Sequence, residues 1–242
     1  MSSGRVYPVD APATDPGRNG DMPTTGAPAG AQQWVPPRPH SIDELKQAAA
    51  DCHGCELHEN ATQTVFGRGA PHAKIVFVGE QPGDVEDQRG LPFVGPAGRL
   101  LREAVDDAGI DPAELYITNS VKHFRFELRG QRRIHQTPGP AHITACRPWL
   151  VAEFSLLKPQ LVVILGATAG KALLGPSFRV NRSRGQLMAW PGSAEHPEDF
   201  PVADIRALAT IHPSAVLRAD NRDIAYQGLV DDLKIAAGAV AA

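Results

Sequence analysis

Lys74-Ile75-Val76-Phe77-Val78 is a strand-like apolar run that leads directly into the turn Gly79-Glu80-Gln81-Pro82-Gly83-Asp84. A buried strand that ends in a proline- and glycine-rich turn is typical of an α/β sheet, which binds ligands at the carboxyl ends of its strands. The sequence therefore predicts a site at the end of this strand, with Glu80 and Gln81 at its edge.

The rest of the chain alternates between strand-like and helical patterns. Strands are predicted at Lys74–Val78, Leu115–Thr118, Leu161–Leu165 and Ala207–Ile211, and helices near Ala97–Ala108, His142–Leu157, Ala167–Leu174 and Ile224–Ala237. Such alternation favours a parallel sheet that is covered on both faces. We therefore expect an α/β fold, a three-layer α/β/α sandwich with a central four-stranded parallel sheet.

The amino-terminal segment differs in composition from the rest of the chain. Residues 1–40 are rich in Pro, Gly and Ala and show no hydrophobic period, which predicts a disordered tail. One folded domain is then expected over residues 41–242. Ser41 and Glu44 have the spacing of a capping box, which predicts a short helix leading to Cys52.

A length of 242 residues is enough for one domain with a substantial core. No apolar run approaches the roughly 20 residues that a membrane helix requires. The amino terminus also lacks the charged and then apolar pattern of a signal peptide. We therefore expect a cytoplasmic protein without a membrane partner, and a monomer.

The net charge of −3 does not by itself favour a nucleic-acid ligand. Local potential decides such binding, however, and one segment is strongly basic. Its cations are Lys122, Arg125, Arg129, Arg132 and Arg133, opposed only by Glu127. This basic run is either a solvated face or a surface that contacts DNA.

Polar residues follow three of the four predicted strands. Glu80 and Gln81 follow the first strand, Asn119 ends the second, and His212 follows the fourth. The carboxyl ends of parallel strands lie at the same edge of a sheet, so these side chains are expected to converge on one crevice.

The chain has three cysteines, an odd number that argues against a disulfide framework. Cys52 and Cys55 form a Cys-x-x-Cys pair, and Cys146 lies far downstream. Three thiols and one further ligand can hold an iron–sulfur cluster or a zinc ion. The histidines that can complete such a site are His53, His58 and His123.

Three segments, in this order along the chain, resemble the uracil-DNA glycosylase superfamily. They are Gly79–Asp84 with its continuation Gly90-Leu91-Pro92-Phe93-Val94-Gly95, then Thr118-Asn119-Ser120-Val121-Lys122-His123, and finally Ile211-His212-Pro213-Ser214-Ala215. The insert Gln131-Arg132-Arg133-Ile134-His135 narrows the resemblance to the X-type branch (UdgX). That branch is similar to the iron–sulfur family 4 enzymes but bonds covalently to its DNA product. The resemblance runs from about Asp51 to about Asp232 and implies the uracil-DNA glycosylase fold.

The resemblance implies a [4Fe-4S] cluster held by Cys52, Cys55 and Cys146. Where the related families read Asn-x-x-Lys-Cys, this chain has His123, which is the implied fourth ligand. A surface His123 beside an incomplete three-cysteine site is the alternative. The implied cluster is structural and ties the amino-terminal helix to the loop after the second strand.

The resemblance also implies how a flipped-out uracil is bound. Phe93 would stack on the base, and Asn119 would accept from N3–H and donate to O4. His212 would donate a hydrogen bond to O2 as negative charge develops there. Further substrate contacts are implied at Gly79, Asp84, Leu217 (as an intercalating wedge) and Arg218 (as a phosphate contact).

The implied catalytic residues are His135, Glu80, Gln81 and His212. Gln81 stands where the water-using branch has an Asp, and it is neutral and a poor base. His135 would bond to C1′ of the sugar, with Glu80 orienting its imidazole. The predicted partner is uracil-containing DNA, single-stranded and possibly double-stranded. The alternatives are a turnover glycosylase whose His135 contacts phosphate, and a non-catalytic iron–sulfur DNA-binding module.

Overall fold

The strands of the computed structural model form one main sheet and one hairpin within the described residues, 30–190 and 205–240. They are β1 (Arg68–Gly69), β2 (Ile75–Gly79), β3 (Leu115–Asn119), β4 (Phe126–Arg129), β5 (Arg132–His135), β6 (Leu161–Leu165), β7 (Leu187–Ala189) and β8 (Arg206–Thr210). The main sheet has the order β1-β3-β2-β6-β8-β7. Its inner strands β3, β2, β6 and β8 are parallel, which confirms the predicted parallel core.

The sheet has six strands rather than the predicted four, because a short strand is added at each edge. β1 pairs antiparallel with β3, and β7 pairs antiparallel with β8. β1 has two residues and β7 has three, which is too short for an alternating apolar pattern to be seen in the sequence. These edge strands form because they pair with a neighbouring strand, and their own sequence does not predict them.

Helices cover both faces of the sheet. They are α1 (Ile42–Ala49), α2 (Asp84–Arg89), α3 (Pro96–Asp107), α4 (Pro140–Leu157), α5 (Gly166–Leu174), α6 (Val180–Ser183), α7 (Pro213–Leu217) and α8 (Arg222–Val240). The four helices predicted between the strands correspond to α3, α4, α5 and α8. At α1 the Ser41 hydroxyl accepts from the Glu44 N–H, as predicted, but the Glu44 carboxylate accepts from His40 N–H.

Alternate residues of each inner strand contribute to two separate apolar cores. Ile75 and Phe77 of β2 pack towards α3 and α8, whereas Val76 and Val78 pack towards α4 and α5. A third apolar cluster contains Cys52, Cys55, Cys146 and Trp149. The result is the predicted three-layer sandwich, with the cysteines gathered outside its two main cores.

The folded part begins earlier than predicted. Ala31–Gln33 forms a 3-10 helix, and Ala31 is only 1% exposed in the cysteine-containing cluster. The N–H of Gly30 donates to the Gly54 carbonyl at 3.1 Å. Placing the tail boundary at residue 40 was therefore wrong for residues 30–40, and the rest of the predicted tail, residues 1–29, lies outside the described residues.

The hairpin of β4 and β5 carries much of the basic run, and the sequence did not predict it. Its strands contain mostly charged and polar residues and few apolar ones, so they lack the alternating pattern of a half-buried strand. The pairing sets Phe126 opposite His135. The hairpin thus fixes the position of His135.

Within the described residues, no helix has the combined length and apolar character that crossing a bilayer requires.

Lys122 does not belong to a basic surface, because its side chain is 1% exposed. Its Nζ lies 2.6 Å from Oε2 of Glu153, itself fully buried, and donates to Thr118 Oγ1 and to the Asn119 carbonyl. Burying an ammonium group requires such a set of acceptors. Lys122 therefore joins β3 to α4, and including it in the basic run was wrong.

Replacing Lys122 with Met should lower the free energy of unfolding by about 3–5 kcal/mol, because Glu153 would be left as a buried unpaired charge. Urea denaturation followed by circular dichroism measures this loss. Lys74→Met is the matched control, since the Lys74–Glu114 pair (2.5 Å) is 43% and 34% exposed and should contribute at most about 1 kcal/mol. Equal losses in the two variants would contradict the structural role of Lys122.

Candidate active site

A cavity of about 690 Å³ opens at the carboxyl ends of the inner strands. Among the residues that line it are Glu80, Gln81, Phe93, Asn119, His135, His212 and Arg218. The predicted convergence of the residues after β2, β3 and β8 on one crevice is confirmed. The hairpin adds His135 and the α7 region adds Arg218 to the same cavity.

Asn119 presents an unused acceptor to this cavity. Its residue is 2% exposed, and its Oδ1 has no hydrogen-bond partner among the described residues. A buried amide oxygen without a partner is costly, by roughly 1–3 kcal/mol, unless a ligand supplies the donor. Gly79 lies beside it, and a Cβ there would be 2.4 Å from Oδ1 of Asn119 and 2.6 Å from Cζ of Phe93. The glycine therefore leaves the space that these two side chains occupy.

Phe93 forms an aromatic wall of the cavity. Its ring centroid lies 5.9 Å from that of His212, tilted by 35°. Its backbone has φ = 54°, a left-handed conformation that a bulky residue adopts only when its surroundings impose it. Nη1 of Arg102 donates to the Phe93 carbonyl at 3.0 Å. The ring is thus held in place by contacts on its backbone.

His212 is a neutral donor with a defined tautomer. Its Nδ1 accepts the N–H of Ser214 at 3.1 Å, so the ring proton lies on Nε2. Burial, with smaller contributions from Arg218 and His135, lowers the pKa of His212 to about 4. The imidazole is therefore uncharged at neutral pH, and its Nε2 carries the proton.

His135 and Glu80 face each other across the cavity mouth. Nε2 of His135 lies 3.5 Å from Oε1 of Glu80, and the His135 side chain is 49% exposed. Oε1 of Glu80 is buried and has no hydrogen-bond partner among the described residues. At 3.5 Å the carboxylate oxygen lies at the outer limit of a hydrogen bond, so its interaction with the imidazole is mainly electrostatic.

Gln81 is fully occupied by the chain around the hairpin. Its Nε2 donates to the carbonyls of Arg125 and Gln136, and its Oε1 accepts from the Arg125 N–H. These bonds span 3.0–3.1 Å. Gln81 therefore fastens both ends of the hairpin to the turn after β2, and both N–H donors of its amide are used in doing so.

Arg133 fastens the same hairpin to α2. Its Nε lies 2.5 Å from Oδ1 of Asp84, and its Nη1 lies 2.6 Å from Oδ2 of the buried Asp87. The guanidinium also covers the rings of Phe124 and Phe126, at 5.5 and 5.1 Å from their centroids. The structure thus places Asp84 in an ion pair with Arg133 and not on the cavity wall.

The family model described as the uracil DNA glycosylase superfamily matches residues 66–234 of this chain. The chain belongs to the uracil DNA glycosylase superfamily. The matched range contains β1 to β8 and every residue named above around the cavity.

Several type-4 uracil-DNA glycosylases are similar to this member of the superfamily. The enzyme of Thermotoga maritima is 34% identical over 188 residues, which cover 77% of this chain and 88% of that protein. The enzyme of Sulfurisphaera tokodaii is 32% identical over 186 residues, covering 75% and 78%. The enzyme of Pyrobaculum aerophilum is 33% identical over 177 residues, covering 73% and 85%.

The three cysteines of this superfamily member are buried in the same apolar region of the domain. Cys52 Sγ accepts from the Trp149 indole N–H at 3.3 Å, and Cys146 Sγ accepts from the Lys122 N–H at 3.2 Å. Burial raises the pKa of Cys55, and raises that of Cys146 to about 12, with Cys55 and Cys52 adding to the effect on Cys146. N–H donors aimed at sulfur are typical of thiolate ligands, so the donor set fits a metal or cluster.

The fourth predicted ligand, His123, is buried, so the surface alternative is wrong. Thr64 Oγ1 donates to the Ala49 carbonyl at 2.8 Å and therefore accepts from Nε2–H of His123 at 2.9 Å. This leaves Nδ1 with a lone pair, which is the form that a ligating imidazole requires. Within the described residues, however, no three or more Cys, His, Asp or Glu side chains are gathered as a metal site.

Outside the cavity wall, Leu217 packs against the core beside α3 and α8, half-buried at the end of α7. In the remaining basic run, Arg129 and Arg132 lie opposite each other in the hairpin and both are exposed. Arg129 lies 3.6 Å from Glu127 in a surface pair, and Arg125 Nη1 donates to the Thr137 carbonyl.

The sequence did not identify several residues that line the cavity. They are Glu86, Thr137, Thr168, Asn181 and Ser214. Glu86 accepts from the Gly95 N–H at 2.6 Å and so joins α2 to the loop that carries Phe93. Asn181 comes from α6, next to the exposed Arg179 and Arg182. The sequence signal available for this wall is the group of three arginines within residues 179–184, from which no prediction was made.

Proposed function

We propose that the protein is a uracil-DNA glycosylase that excises uracil from DNA and is then captured covalently on the abasic site through His135. The observation that carries the proposal is the buried, partnerless Oδ1 of Asn119 in a cavity shared with Phe93 and His212. Superfamily membership and the similar type-4 enzymes support the excision step.

Recognition of uracil follows from the donors and acceptors of the cavity. Oδ1 of Asn119 accepts from N3–H, and its NH2 group donates to O4. Cytosine has an acceptor at N3 and a donor at C4. The amide oxygen of Asn119 would then face an acceptor and its NH2 group a donor, and each unpaired group would cost about 1–3 kcal/mol. Phe93 stacks on the base, which contributes about 1–3 kcal/mol and helps to offset flipping.

Departure of the base is assisted by His212. The bond between C1′ and N1 breaks, and its electron pair leaves with uracil as negative charge on the ring. Nε2–H of His212 donates to O2, where part of that charge develops. A single preorganised donor of this kind lowers the activation free energy by roughly 3–4 kcal/mol. The His212 imidazole is neutral, so it acts as a hydrogen-bond donor and not as a cation.

Capture of the sugar is assigned to His135. Nε2 of the neutral imidazole uses its lone pair to bond to C1′, and the resulting imidazolium loses its Nδ1 proton to solvent. Glu80, 3.5 Å away, stabilises the positive charge while it exists. A group held in line has an effective concentration of roughly 10⁵ M or more, far above that of water. The hydrogen bonds of Gln81 and the ion pairs of Arg133 hold the hairpin that presents His135.

A turnover glycosylase is the second candidate. The partnerless Oε1 of Glu80 favours it, because a carboxylate at that position can take a proton from an attacking water. Incubating the protein with a uracil-containing oligonucleotide and analysing the mixture on a denaturing gel separates the two functions. Covalent capture gives one SDS-resistant protein–DNA species per protein molecule, whereas turnover gives free abasic DNA beyond that amount.

The proposal includes a [4Fe-4S] cluster with Cys52, Cys55, Cys146 and His123 as ligands, His123 binding through Nδ1. Such a cluster would supply a cross-link between the amino-terminal part of the domain and the loop after β3. The steps of base excision use the residues of the cavity and do not involve it.

The purified protein should be brown, contain about four iron atoms per chain and bleach on reduction. Cys146→Ser should lose the iron, whereas His123→Cys should retain it, since a thiolate replaces the imidazole. Iron analysis and visible spectra measure both. Zinc in place of iron, or full iron content in Cys146→Ser, would contradict the cluster and its ligands.

A further inference from the structure

A second cavity, of about 510 Å³, shares Phe93 with the first but opens between α3 and the strands β1, β2 and β3. Most of its walls are apolar. The residues that form them include Phe77, Leu101, Val105, Leu115 and Ile117. A cavity of this size with apolar walls and a few polar groups has the character of a small-molecule site.

The polar groups of this cavity carry a net positive charge. Arg68 and Arg102 line it together with a single acid, Asp106. Neither guanidinium lies within ion-pair distance of a carboxylate elsewhere in residues 30–190 and 205–240. Arg68 is half-buried, and its pKa is lowered by burial first and by Arg102 second. The two cations therefore face one space without neutralising partners, and an anion would stabilise both.

The walls and the charge together define the ligand. Phe77 and Phe93 are only 1% and 7% exposed, so the apolar side chains that a ligand can reach are mainly others. They are the half-buried Leu115 and Ile117 and the exposed Pro112, and they suit a flat apolar group. Two arginines suit a phosphate, because guanidinium groups match phosphate oxygens in a fixed, bidentate geometry. A nucleoside monophosphate combines the two features in one molecule of suitable size.

We propose that this second cavity binds a nucleoside monophosphate, with its base against the wall formed by α3 and β3 and its phosphate between Arg68 and Arg102. The site is separate from the uracil cavity and does not depend on the proposed covalent chemistry.

Occupation of the second cavity would also reach the uracil cavity. Arg102 donates to the Phe93 carbonyl, and a bound phosphate would compete for that guanidinium. The backbone of Phe93 is in direct contact with α3, since a Cβ on Gly98 would lie only 1.8 Å from the Phe93 carbonyl oxygen. Phe93 therefore has little freedom to move. Ligand binding would therefore weaken the hydrogen bond that positions Phe93, whose ring is proposed to stack on uracil.

Isothermal titration calorimetry of the full chain with adenosine monophosphate tests the site. A purine nucleotide is chosen because it does not match the donors and acceptors of the uracil cavity. Binding should weaken about tenfold or more in Arg68→Gln, since one charge-assisted contact is lost, and further in Arg68→Glu. Arg99→Gln, an exposed arginine of α3 that does not line the cavity, is the control and should bind like the wild type.

Adenosine and inorganic phosphate should each bind more weakly than the nucleotide, because each engages only half of the cavity. No heat of binding with adenosine monophosphate would overturn the proposal. So would wild-type affinity in Arg68→Gln.

The coupling between the cavities rests on the proposed function and has its own readout. Saturating adenosine monophosphate should change the single-turnover rate of uracil release in the wild type and leave the rate of Arg68→Gln unaffected. Nucleotide binding without any change in the wild-type rate would overturn the coupling. Calorimetry does not require excision, so failure of the nucleotide site and failure of the proposed function are distinguishable.

Discussion

His135→Ser should abolish the SDS-resistant protein–DNA species while uracil release continues. Departure of the base depends on Asn119, Phe93 and His212, which this substitution leaves in place, whereas capture of the sugar depends on the hairpin. Serine vacates the space beside Glu80, and water can enter and complete the reaction. The covalent species should fall from one per protein molecule to none, as measured on a denaturing gel with uracil-containing DNA.

Two controls make this result specific to His135. His72→Ser replaces an exposed histidine away from the cavity and should form the covalent species like the wild type. DNA with thymine or cytosine in place of uracil should give no covalent species with any variant. An SDS-resistant complex that persists in His135→Ser would contradict the nucleophile assignment and direct attention to Glu80.

Asn119→Asp should reduce the single-turnover rate of uracil release by about 10²-fold or more. A carboxylate cannot donate to O4, and a negative charge at this buried position opposes the charge that develops on the departing base. The fold should be retained, because Lys122 bonds the backbone carbonyl of residue 119 and not its side chain. Quantifying released uracil from an excess of enzyme over DNA measures the rate.

Asn60→Asp is the matched control for this change, since it makes the same substitution at an exposed position away from the cavity. Its rate of uracil release should equal that of the wild type. If Asn119→Asp released uracil as fast as Asn60→Asp, Asn119 would not be the residue that reads the base.

The sequence alone was sufficient for the parallel core of the sheet and for the edge at which the site lies. The strands β2 and β6 are continuous apolar runs and β3 and β8 are largely apolar, because both faces of the sheet are covered, and such runs are visible without any partner. The positions of Glu80, Asn119 and His212 at one edge of the sheet could be predicted from these runs. The carboxyl ends of parallel strands share one edge, so residues after β2, β3 and β8 come together wherever they lie in the chain.

The tertiary structure decided whatever depends on a partner distant in sequence. Lys122 reads as one more cation of a basic run, yet it is buried because Glu153, on α4, lies 2.6 Å away. Arg133 likewise reads as a surface charge, but it is paired with Asp84 and Asp87. A charged side chain is exposed or buried according to the partners that the fold supplies, and a local pattern does not contain them.

The same reason applies to the histidines. Residue type shows that His123 and His212 can donate or accept, but the tautomer of each is set by a neighbour, Thr64 in one case and the Ser214 N–H in the other. The location of His135 beside Glu80 is set by the hairpin, which forms through cross-strand pairing and through the bonds of Gln81 and not through a recognisable strand pattern. The sequence alone thus determined the sheet and the edge that holds the site, whereas long-range contacts decided the protonation, burial and orientation of the side chains there.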